Sequence, residues 1–345
     1  MTKGGEGSLE YTISITNKCN LHCAYCYERH LNTDYGHIDD ERADRIIKFI
    51  TDRNDAGRVY LFGGEPLLYK DLIKRFCTEI EAKEFVITTN GTLLDDEFIT
   101  WCDESGKNIV INMSHDGKNC EGRGVDCSLL DGKLKLLLAH RPDTLVQLVY
   151  TEKTLPELYD NVKHLRDLGV KNVSAALDAF TNPSDPESFA DLMREQWDKL
   201  AHLYDVSMYE LTAKRKYIKE HIKAKCEICK KKLYINWDGN IYPCVQFQNR
   251  SEFRCGDIFT GVDTARAEKD HPDYSIRSAR CEGCEIAEYC RNSCACRKMA
   301  TSGTLTDISE AACIEEQVQI LTALEQIRSS QIAKEKGCKQ PLGKQ

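Results

Sequence analysis

The chain has 345 residues, 18 of them cysteine, and its 55 acidic and 47 basic side chains give a formal net charge of −8. This length accommodates a large α/β domain and a smaller module, and the acidic balance argues against a nucleic-acid partner. The sequence contains no apolar run of the ~18 residues that cross a membrane, and no apolar signal core lies in its first ten residues. We therefore expect a cytoplasmic protein without a membrane partner, whose cysteines are reduced and available to bind metals.

The first predicted element is a strand over residues 9–16 (LEYTISIT), which alternate and include β-branched side chains. Cys19, Cys23 and Cys26 follow it in a C-x3-C-x2-C spacing, so these three cysteines lie on the loop that leaves the strand. A structural zinc site takes four protein ligands, as does a ferredoxin-type cluster. Three thiolates that hold a cubane of four irons leave one iron open to a small molecule.

Helix and strand signals alternate along the next part of the chain. Helices are predicted over 38–50, 67–81, 94–104, 128–140, 155–168 and 186–203, and strands over 58–62, 85–89, 108–113, 144–150 and 170–177. Asp39 or Asp40 is the expected N-cap of the first helix, and Gly169 ends the fifth. Six strands alternating with six helices predict right-handed βαβ units and a parallel sheet, two units short of a closed eightfold barrel.

Four polar or glycine-rich loops follow the predicted strand ends: the cysteine run, Gly63-Gly64-Glu65, Asn90-Gly91 and Ser114–Gly117. Ligand sites of parallel sheets lie at the carboxyl ends of the strands, so we expect these loops to form one pocket. Glycines at a strand end allow close backbone approach to a ligand.

Individual side chains of these loops suggest contacts with a nucleoside-like ligand. Glu65 can accept an ammonium group, and Tyr25 can stack on a flat ring. Asn90 and Ser114 can hydrogen-bond ribose hydroxyls. Each of these residues is also compatible with an ordinary turn or packing role.

The character of the sequence changes after about residue 212. Residues 214–232 are basic, and 11 of the 18 cysteines lie beyond residue 220. We predict domains over residues 9–210 and 220–325, with a C-terminal tail over 326–345. The C-x2-C pairs at 226/229 and 281/284 taken alone resemble a zinc ribbon. The remaining scattered cysteines are predicted to be small buried hydrophobes: Cys77, Cys102, Cys120, Cys127, Cys255, Cys296 and Cys338.

On these residues, the chain resembles the radical S-adenosylmethionine (radical SAM) superfamily. The resemblance covers residues 9 to about 205 and rests on Cys19-x3-Cys23-x2-Cys26, with Tyr25 before the last cysteine, and on Gly63-Gly64-Glu65. It implies an α/β fold, a partial (β/α)6 TIM-like barrel, and a [4Fe-4S] cluster that binds the amino and carboxylate groups of SAM. Reductive cleavage would then give methionine and a 5′-deoxyadenosyl radical, which abstracts a substrate hydrogen.

The same resemblance completes the predicted cofactor site. It implies that Ser114 and a downstream arginine contact SAM, and Arg123 is the nearest candidate for that arginine. The predicted cofactor-binding residues are Tyr25, Gly63, Gly64, Glu65, Asn90, Ser114 and Arg123.

The C-terminal cysteines resemble the SPASM extension, an iron–sulfur module with auxiliary [4Fe-4S] clusters. The pattern is Cys229-x9-Gly239-x4-Cys244, then Cys281-x2-Cys284-x5-Cys290-x3-Cys294, and finally Cys313. By resemblance, one auxiliary cluster uses Cys281, Cys284, Cys290 and Cys313, and the other uses Cys229, Cys244 and Cys294. Cys226 can supply the fourth thiolate of the second cluster, although a site left open to substrate is an alternative. Structural zinc does not explain eight such cysteines behind a three-cysteine radical motif.

The resemblance implies that a peptide or protein side chain is modified. Anaerobic sulfatase-maturating enzymes form formylglycine and place a basic aspartate directly after the cysteine of Gly-x4-Cys, whereas Val245 follows Cys244 here. Since valine cannot accept a proton, we favour the maturases of ribosomally made peptides, which form thioether or carbon–carbon crosslinks. A small-molecule substrate is a further option. A non-catalytic, cysteine-rich metal-binding interaction protein is an alternative from another class.

The expected partners follow from this interpretation. Besides the peptide substrate, the enzyme needs a low-potential electron donor of the flavodoxin or ferredoxin type. About eight residues precede the first predicted strand, so we expect no N-terminal leader-binding domain. A separate leader-recognition protein, or direct docking in the barrel, would replace it.

Overall fold

The structure is a computed structural model that describes residues 8–31, 34–223, 231–263 and 277–335. The chain forms two compact units. The first unit consists of residues 1–114, 121–140 and 227–274, and the second consists of residues 115–120, 141–226 and 275–345. The domain boundaries drawn from the sequence stay predictions.

The described residues form eleven strands and ten α-helices. The strands are β1 Leu9–Thr16, β2 Ala56–Gly63, β3 Glu84–Thr89, β4 Ile109–Ser114, β5 Leu145–Tyr150, β6 Asn172–Leu177, β7 Ser207–Met208, β8 Lys232–Ile235, β9 Asn240–Tyr242, β10 Gly256–Asp257 and β11 Gly261–Val262. The helices are α1 Tyr27–Leu31, α2 Asp40–Arg53, α3 Lys70–Glu79, α4 Asp96–Glu104, α5 Cys127–His140, α6 Leu158–Asp167, α7 Pro186–Ala201, α8 Tyr209–Lys219, α9 Ala295–Ser302 and α10 Glu310–Glu335.

The predicted alternation is present as β1–β6 and α2–α7. Asp39 is the N-cap of α2, because its carboxylate accepts the backbone N–H of Arg42 at 2.9 Å. The helix predicted from residue 67 begins as a 3-10 turn over Pro66–Tyr69 before α3. The sequence pattern did not predict α1 or the β7–α8 pair, so the basic stretch from residue 214 begins inside a helix and not at a break in the fold.

The first unit is built around β1, which lies parallel to β2 on one side and to β8 on the other. Ile13 is opposite Leu61 of β2 and Ile235 of β8, and all three side chains are fully buried. Strands β2, β3 and β4 continue in parallel order, while β8 to β11 pair antiparallel. The central strand of this unit therefore leads directly into the cysteine loop.

The second unit contains the parallel strands β5, β6 and β7. Helix α10 packs against α7 and α8, and the core of this unit includes the fully buried Tyr150 and Trp197. The described helices include none long and apolar enough to cross a membrane.

Candidate active site

The three cysteines of the first motif lie on the loop between β1 and α1. Cys19, Cys23 and Cys26 are reduced, half-buried thiols, and the backbone N–H of Cys26 donates to the carbonyl of Cys23 at 3.3 Å. Three thiols on one short loop are the donor set that a cubane with one open iron requires. The residues therefore fit the predicted cluster.

The glycine motif at the end of β2 is joined to this loop by backbone hydrogen bonds. Gly64 N donates to Thr16 O at 2.7 Å, and Glu65 N donates to Lys18 O at 2.9 Å. A Cβ atom at Gly63 would overlap the Thr16 carbonyl oxygen, and one at Gly64 would overlap that of Lys18. Gly63 also has a φ of +132°, which side-chain-bearing residues rarely adopt. Glycine at both positions lets β2 lie against the backbone that leads to Cys19.

Glu65 is fully buried and joins the loop after β2 to the end of β3. Its Oε1 accepts from Leu67 N at 3.0 Å and from Thr89 Oγ1 at 2.7 Å, and its Oε2 accepts from Asn90 N at 2.7 Å. Burial raises the pKa of this carboxyl, and the three hydrogen bonds oppose that rise. A carboxylate offers about four lone-pair sites, so about one is left for a ligand.

Asn90 contacts the cysteine loop. Its Nδ2 donates to Cys19 Sγ at 3.7 Å and to Asn20 Oδ1 at 2.9 Å. Its Oδ1 accepts from the backbone N of Thr92 at 3.0 Å and from Thr92 Oγ1 at 2.7 Å. The predicted ribose contact of Asn90 stays a prediction, and the protein already engages both ends of the amide.

Tyr25 and Arg123 lie together, as the pocket prediction requires. The Arg123 guanidinium carbon lies 5.7 Å from the centroid of the Tyr25 ring, and the Arg123 side chain is buried. Backbone contacts hold the two loops together, because Ala24 N donates to Gly122 O at 2.8 Å. Ser114 is the last residue of β4 and is half-buried. All of the predicted SAM contacts therefore belong to the first unit.

The C-terminal cysteines are only partly described. Cys226, Cys229 and Cys338 lie outside the described residues, and Cys244 belongs to the first unit. In the second unit, burial raises the pKa of the Cys313 thiol, and the nearby Cys281 and Cys284 raise it further. Cys281 and Cys284 therefore lie near Cys313, and the predicted ligand set stays a prediction.

The described part of the chain shows no site for a single metal ion. Within the described ranges, no group of three or more His, Cys, Asp or Glu side chains is placed to hold a single metal ion. A cubane distributes its thiolates over four irons, so the ligands of a cluster need not meet at one point. The auxiliary ligand sets stay predictions.

The scattered cysteines differ from the expectation at three described positions. Cys296 is half-buried and not buried as predicted. Cys77, Cys102 and Cys255 are buried thiols, as predicted. Cys120 and Cys127 are disulfide-bonded, so the expectation of reduced cysteines is wrong for this pair of positions. The sequence alone does not show which of 18 cysteines come within bonding distance.

A buried ionic cluster beside the C-terminal cysteines was not predicted from the sequence. Glu316 is fully buried and pairs with Lys214 and with Arg291, whose backbone N and Nε donate to it at 2.8 and 3.2 Å. Glu315 pairs with Arg297 and accepts the Tyr150 hydroxyl at 2.7 Å. The signal available in the sequence was the pair of adjacent glutamates, Glu315 and Glu316, shortly after Cys313.

A second contact that was not predicted lies next to Cys26. The buried Glu28 carboxylate accepts from Gln248 Nε2 at 3.0 and 3.1 Å, and Gln248 Oε1 accepts the Tyr234 hydroxyl at 2.8 Å. This contact joins α1 to the segment that follows Cys244. A separation of 220 residues leaves no local signal.

Comparisons with known proteins identify the family of the chain. The profile of the radical SAM superfamily matches residues 13–195. The chain is 26% identical over 260 residues to a tungsten-containing aldehyde ferredoxin oxidoreductase cofactor-modifying protein of Pyrococcus furiosus, covering 68% of this chain and 70% of that protein. It is 26% identical over 264 residues to the antilisterial bacteriocin subtilosin biosynthesis protein AlbA of Bacillus subtilis, covering 73% of this chain and 57% of AlbA.

A solved structure supports the fold. Native anSMEcpe with bound AdoMet (S-adenosylmethionine) and Kp18Cys peptide superposes with a TM-score of 0.74 at 18% identity, covering 94% of this chain and 99% of that one. This match confirms the predicted α/β, TIM-like partial-barrel fold. The family match covers more than half of the chain and implies a [4Fe-4S] cluster and SAM as cofactors of an enzyme. The chain therefore belongs to the radical SAM superfamily.

Proposed function

We propose that this enzyme uses SAM-derived radical chemistry to modify a side chain of a ribosomally made peptide, forming a thioether or carbon–carbon crosslink. The observation that carries the proposal is the spacing of the C-terminal cysteines, of which Cys281 and Cys284 lie near Cys313. Their spacing resembles the SPASM extension of peptide-modifying enzymes. The relative AlbA, whose name refers to the biosynthesis of a bacteriocin, supports the same substrate class.

The loops at the ends of β1, β2, β3 and β4 would bind different parts of the cluster and of SAM. Cys19, Cys23 and Cys26 would hold the cluster, which supplies the electron for SAM cleavage when it is bound. The Gly63-Gly64-Glu65 backbone would orient the methionine end of SAM. Tyr25, Ser114 and Arg123 would position the nucleoside end and exclude water from it.

We propose two auxiliary [4Fe-4S] clusters in the C-terminal region. Cys281, Cys284, Cys290 and Cys313 would hold one of them. Cys226, Cys229, Cys244 and Cys294 would hold the other. An open position on this second cluster, where a substrate thiol could bind, is the alternative arrangement.

Formylglycine formation is the competing function. Residue 245, where the sulfatase-maturating enzymes have their basic aspartate, is a valine at the start of a 3-10 turn over Val245–Phe247. A hydrocarbon side chain cannot accept the proton of a substrate thiol or hydroxyl. This residue is the reason that we place crosslinking first.

The proposed partners are a peptide substrate and a low-potential flavodoxin or ferredoxin. A separate leader-recognition protein would present the peptide. Electron transfer needs only transient contact, so a small and mainly polar interface is expected for the donor.

The test is an anaerobic assay of protein reconstituted with iron and sulfide. Peptides encoded by short reading frames next to the gene are incubated with the enzyme, SAM and dithionite, and 5′-deoxyadenosine and peptide masses are measured. We expect about twelve irons per chain, peptide-stimulated deoxyadenosine and a peptide that has lost two hydrogens per crosslink.

The control is the triple variant Cys19→Ala/Cys23→Ala/Cys26→Ala, which should form no deoxyadenosine and retain the auxiliary iron. A cysteine-containing peptide that loses its sulfur and gains an aldehyde would establish formylglycine formation instead. Protein that binds zinc but no iron would refute the enzymatic proposal.

A further inference from the structure

The Asn90 side chain is held in one orientation by partners on both sides. The backbone N–H of Thr92 can only donate, so the atom that accepts it at 3.0 Å must be the Asn90 carbonyl oxygen. The amide nitrogen must then face the opposite side, where Asn20 Oδ1 lies at 2.9 Å and Cys19 Sγ at 3.7 Å. The backbone N of Asn90 is fixed as well, by Glu65 Oε2 at 2.7 Å.

The Cys19 sulfur receives N–H groups from two sources. Leu21 N donates to it at 3.4 Å, from the same loop, and Asn90 Nδ2 donates at 3.7 Å, from the end of β3. N–H groups directed at a cysteine sulfur stabilise the more negative, reduced form of an iron–sulfur cluster and raise its reduction potential. The Leu21 contribution comes from the backbone, whereas the Asn90 contribution depends on a replaceable side chain.

We propose that Asn90 is a positioning residue for the radical cluster, the [4Fe-4S] cluster at Cys19, Cys23 and Cys26. Asn90 orients Cys19 and raises the reduction potential of this cluster, and it is not a ligand of the SAM ribose. The inference rests on the proposed role of Cys19 as a cluster ligand. It replaces the ribose contact that the sequence suggested. A ribose hydroxyl would have to displace Thr92, Asn20 or Cys19 from an amide that is already fully engaged.

Two substitutions separate the hydrogen bond from charge. Asn90→Leu has nearly the same shape and removes the donor, and Asn90→Asp removes the donor and adds a negative charge next to Cys19. Thr92→Val is the matched control, because it removes the hydroxyl bonds of Thr92 with the Asn90 carbonyl and with Asn20 Nδ2 and leaves the Asn90 amide nitrogen and the Thr92 N–H in place.

The measurement is an EPR-monitored redox titration of the reconstituted full-length protein. The radical cluster is identified as the reduced signal that changes when SAM is added, which separates it from the auxiliary clusters. We expect a more negative midpoint potential for Asn90→Leu, a still more negative one for Asn90→Asp, and the wild-type value for Thr92→Val. SAM affinity, measured by equilibrium dialysis on the oxidised protein, should change by less than threefold in Asn90→Leu.

Two outcomes would overturn the inference, and a third would overturn the proposed function on which the inference rests. An unchanged potential with SAM affinity reduced tenfold or more would assign Asn90 to the ribose. A wild-type potential in both variants, with wild-type affinity, would make the residue a simple turn residue. If wild-type protein showed no SAM-responsive cluster signal, the proposed function itself would fail, independently of Asn90.

Discussion

The buried carboxylate of Glu65 accepts the backbone N–H of Asn90 at 2.7 Å, which joins the end of β2 to the end of β3. The same carboxylate also accepts the Thr89 hydroxyl. Glu65 therefore fixes the geometry of the neighbouring loop in addition to any contact with SAM. Its loss should affect both the stability of the fold and the affinity for the cofactor.

Glu65→Gln should lower the free energy of unfolding by about 1–3 kcal/mol, because one oxygen becomes an NH₂ group and a buried donor is left without its acceptor. SAM affinity should fall as well. Denaturant unfolding and equilibrium dialysis measure the two effects. Glu97→Gln, whose side chain is 89% exposed, is the control and should change neither. If Glu65→Gln matched the wild type in both measurements, Glu65 would be an ordinary turn residue.

Gly64→Ala should disrupt the contact between β2 and the cysteine loop, since its Cβ would overlap the Lys18 carbonyl oxygen. We expect loss of soluble protein or a clear drop in melting temperature. Gly132→Ala is the matched control. Gly132 lies in α5, and a Cβ atom there would meet open space among the described residues, so alanine should stabilise the protein by about 0.5–1 kcal/mol. Equal melting temperatures for the two variants would contradict the proposed close approach.

Cys281→Ala should lower the iron content by up to one cubane, about four irons, without stopping SAM cleavage in the absence of peptide. The reason is that Cys281 lies with Cys284 and Cys313 in the second unit, whereas the three radical-site cysteines belong to the first. Cys77→Ala is the control, because Cys77 is a buried thiol of α3 and its loss should not change the iron content. Full iron in Cys281→Ala would disprove the ligand assignment.

The sequence was sufficient for features encoded locally. The spacing of Cys19, Cys23 and Cys26, and the glycines at 63 and 64, are short-range patterns, and strand periodicity placed them at strand ends. These observations predicted the β1–β6 alternation and the loops of the radical site. They also gave two adjacent candidates for the N-cap of α2, Asp39 and Asp40, of which Asp39 is the cap, because capping depends on a few adjacent residues.

The contacts that the sequence did not reveal join distant segments. Glu65 and Asn90 are 25 residues apart, and Glu28 and Gln248 are 220 apart. Asn90 illustrates the difficulty, since an asparagine at a strand end is equally suited to a turn, a ribose and a cysteine sulfur. Only the placement of its neighbours distinguishes the three.

Glu316→Gln should be the most destabilising of the substitutions considered in the second unit. It leaves the buried Lys214 ammonium without the carboxylate it pairs with, and breaking such a buried pair costs about 3–5 kcal/mol. Glu195→Gln is the control, because Glu195 pairs with Lys199 at 2.6 Å on the exposed face of α7, where a pair contributes ~0–1 kcal/mol. Chemical unfolding of both variants measures the difference.

Two further measurements test whether the stability lost in Glu316→Gln comes from the broken ion pair with Lys214. Adding Lys214→Met to Glu316→Gln should restore part of the stability, since no unpaired charge is then buried. Burial raises the pKa of Glu316, but Lys214, Arg297 and Arg291 outweigh burial and bring it to about 2, below the ordinary 4.5. A depressed pKa stabilises the fold above the unfolded value, and this stabilisation is lost as the pH falls from 4.5 towards 2. The stability difference between wild type and Glu316→Gln should therefore shrink as the pH falls from 4.5 towards 2, and a difference that stayed constant across that range would show that its three cationic neighbours do not hold the carboxylate ionised.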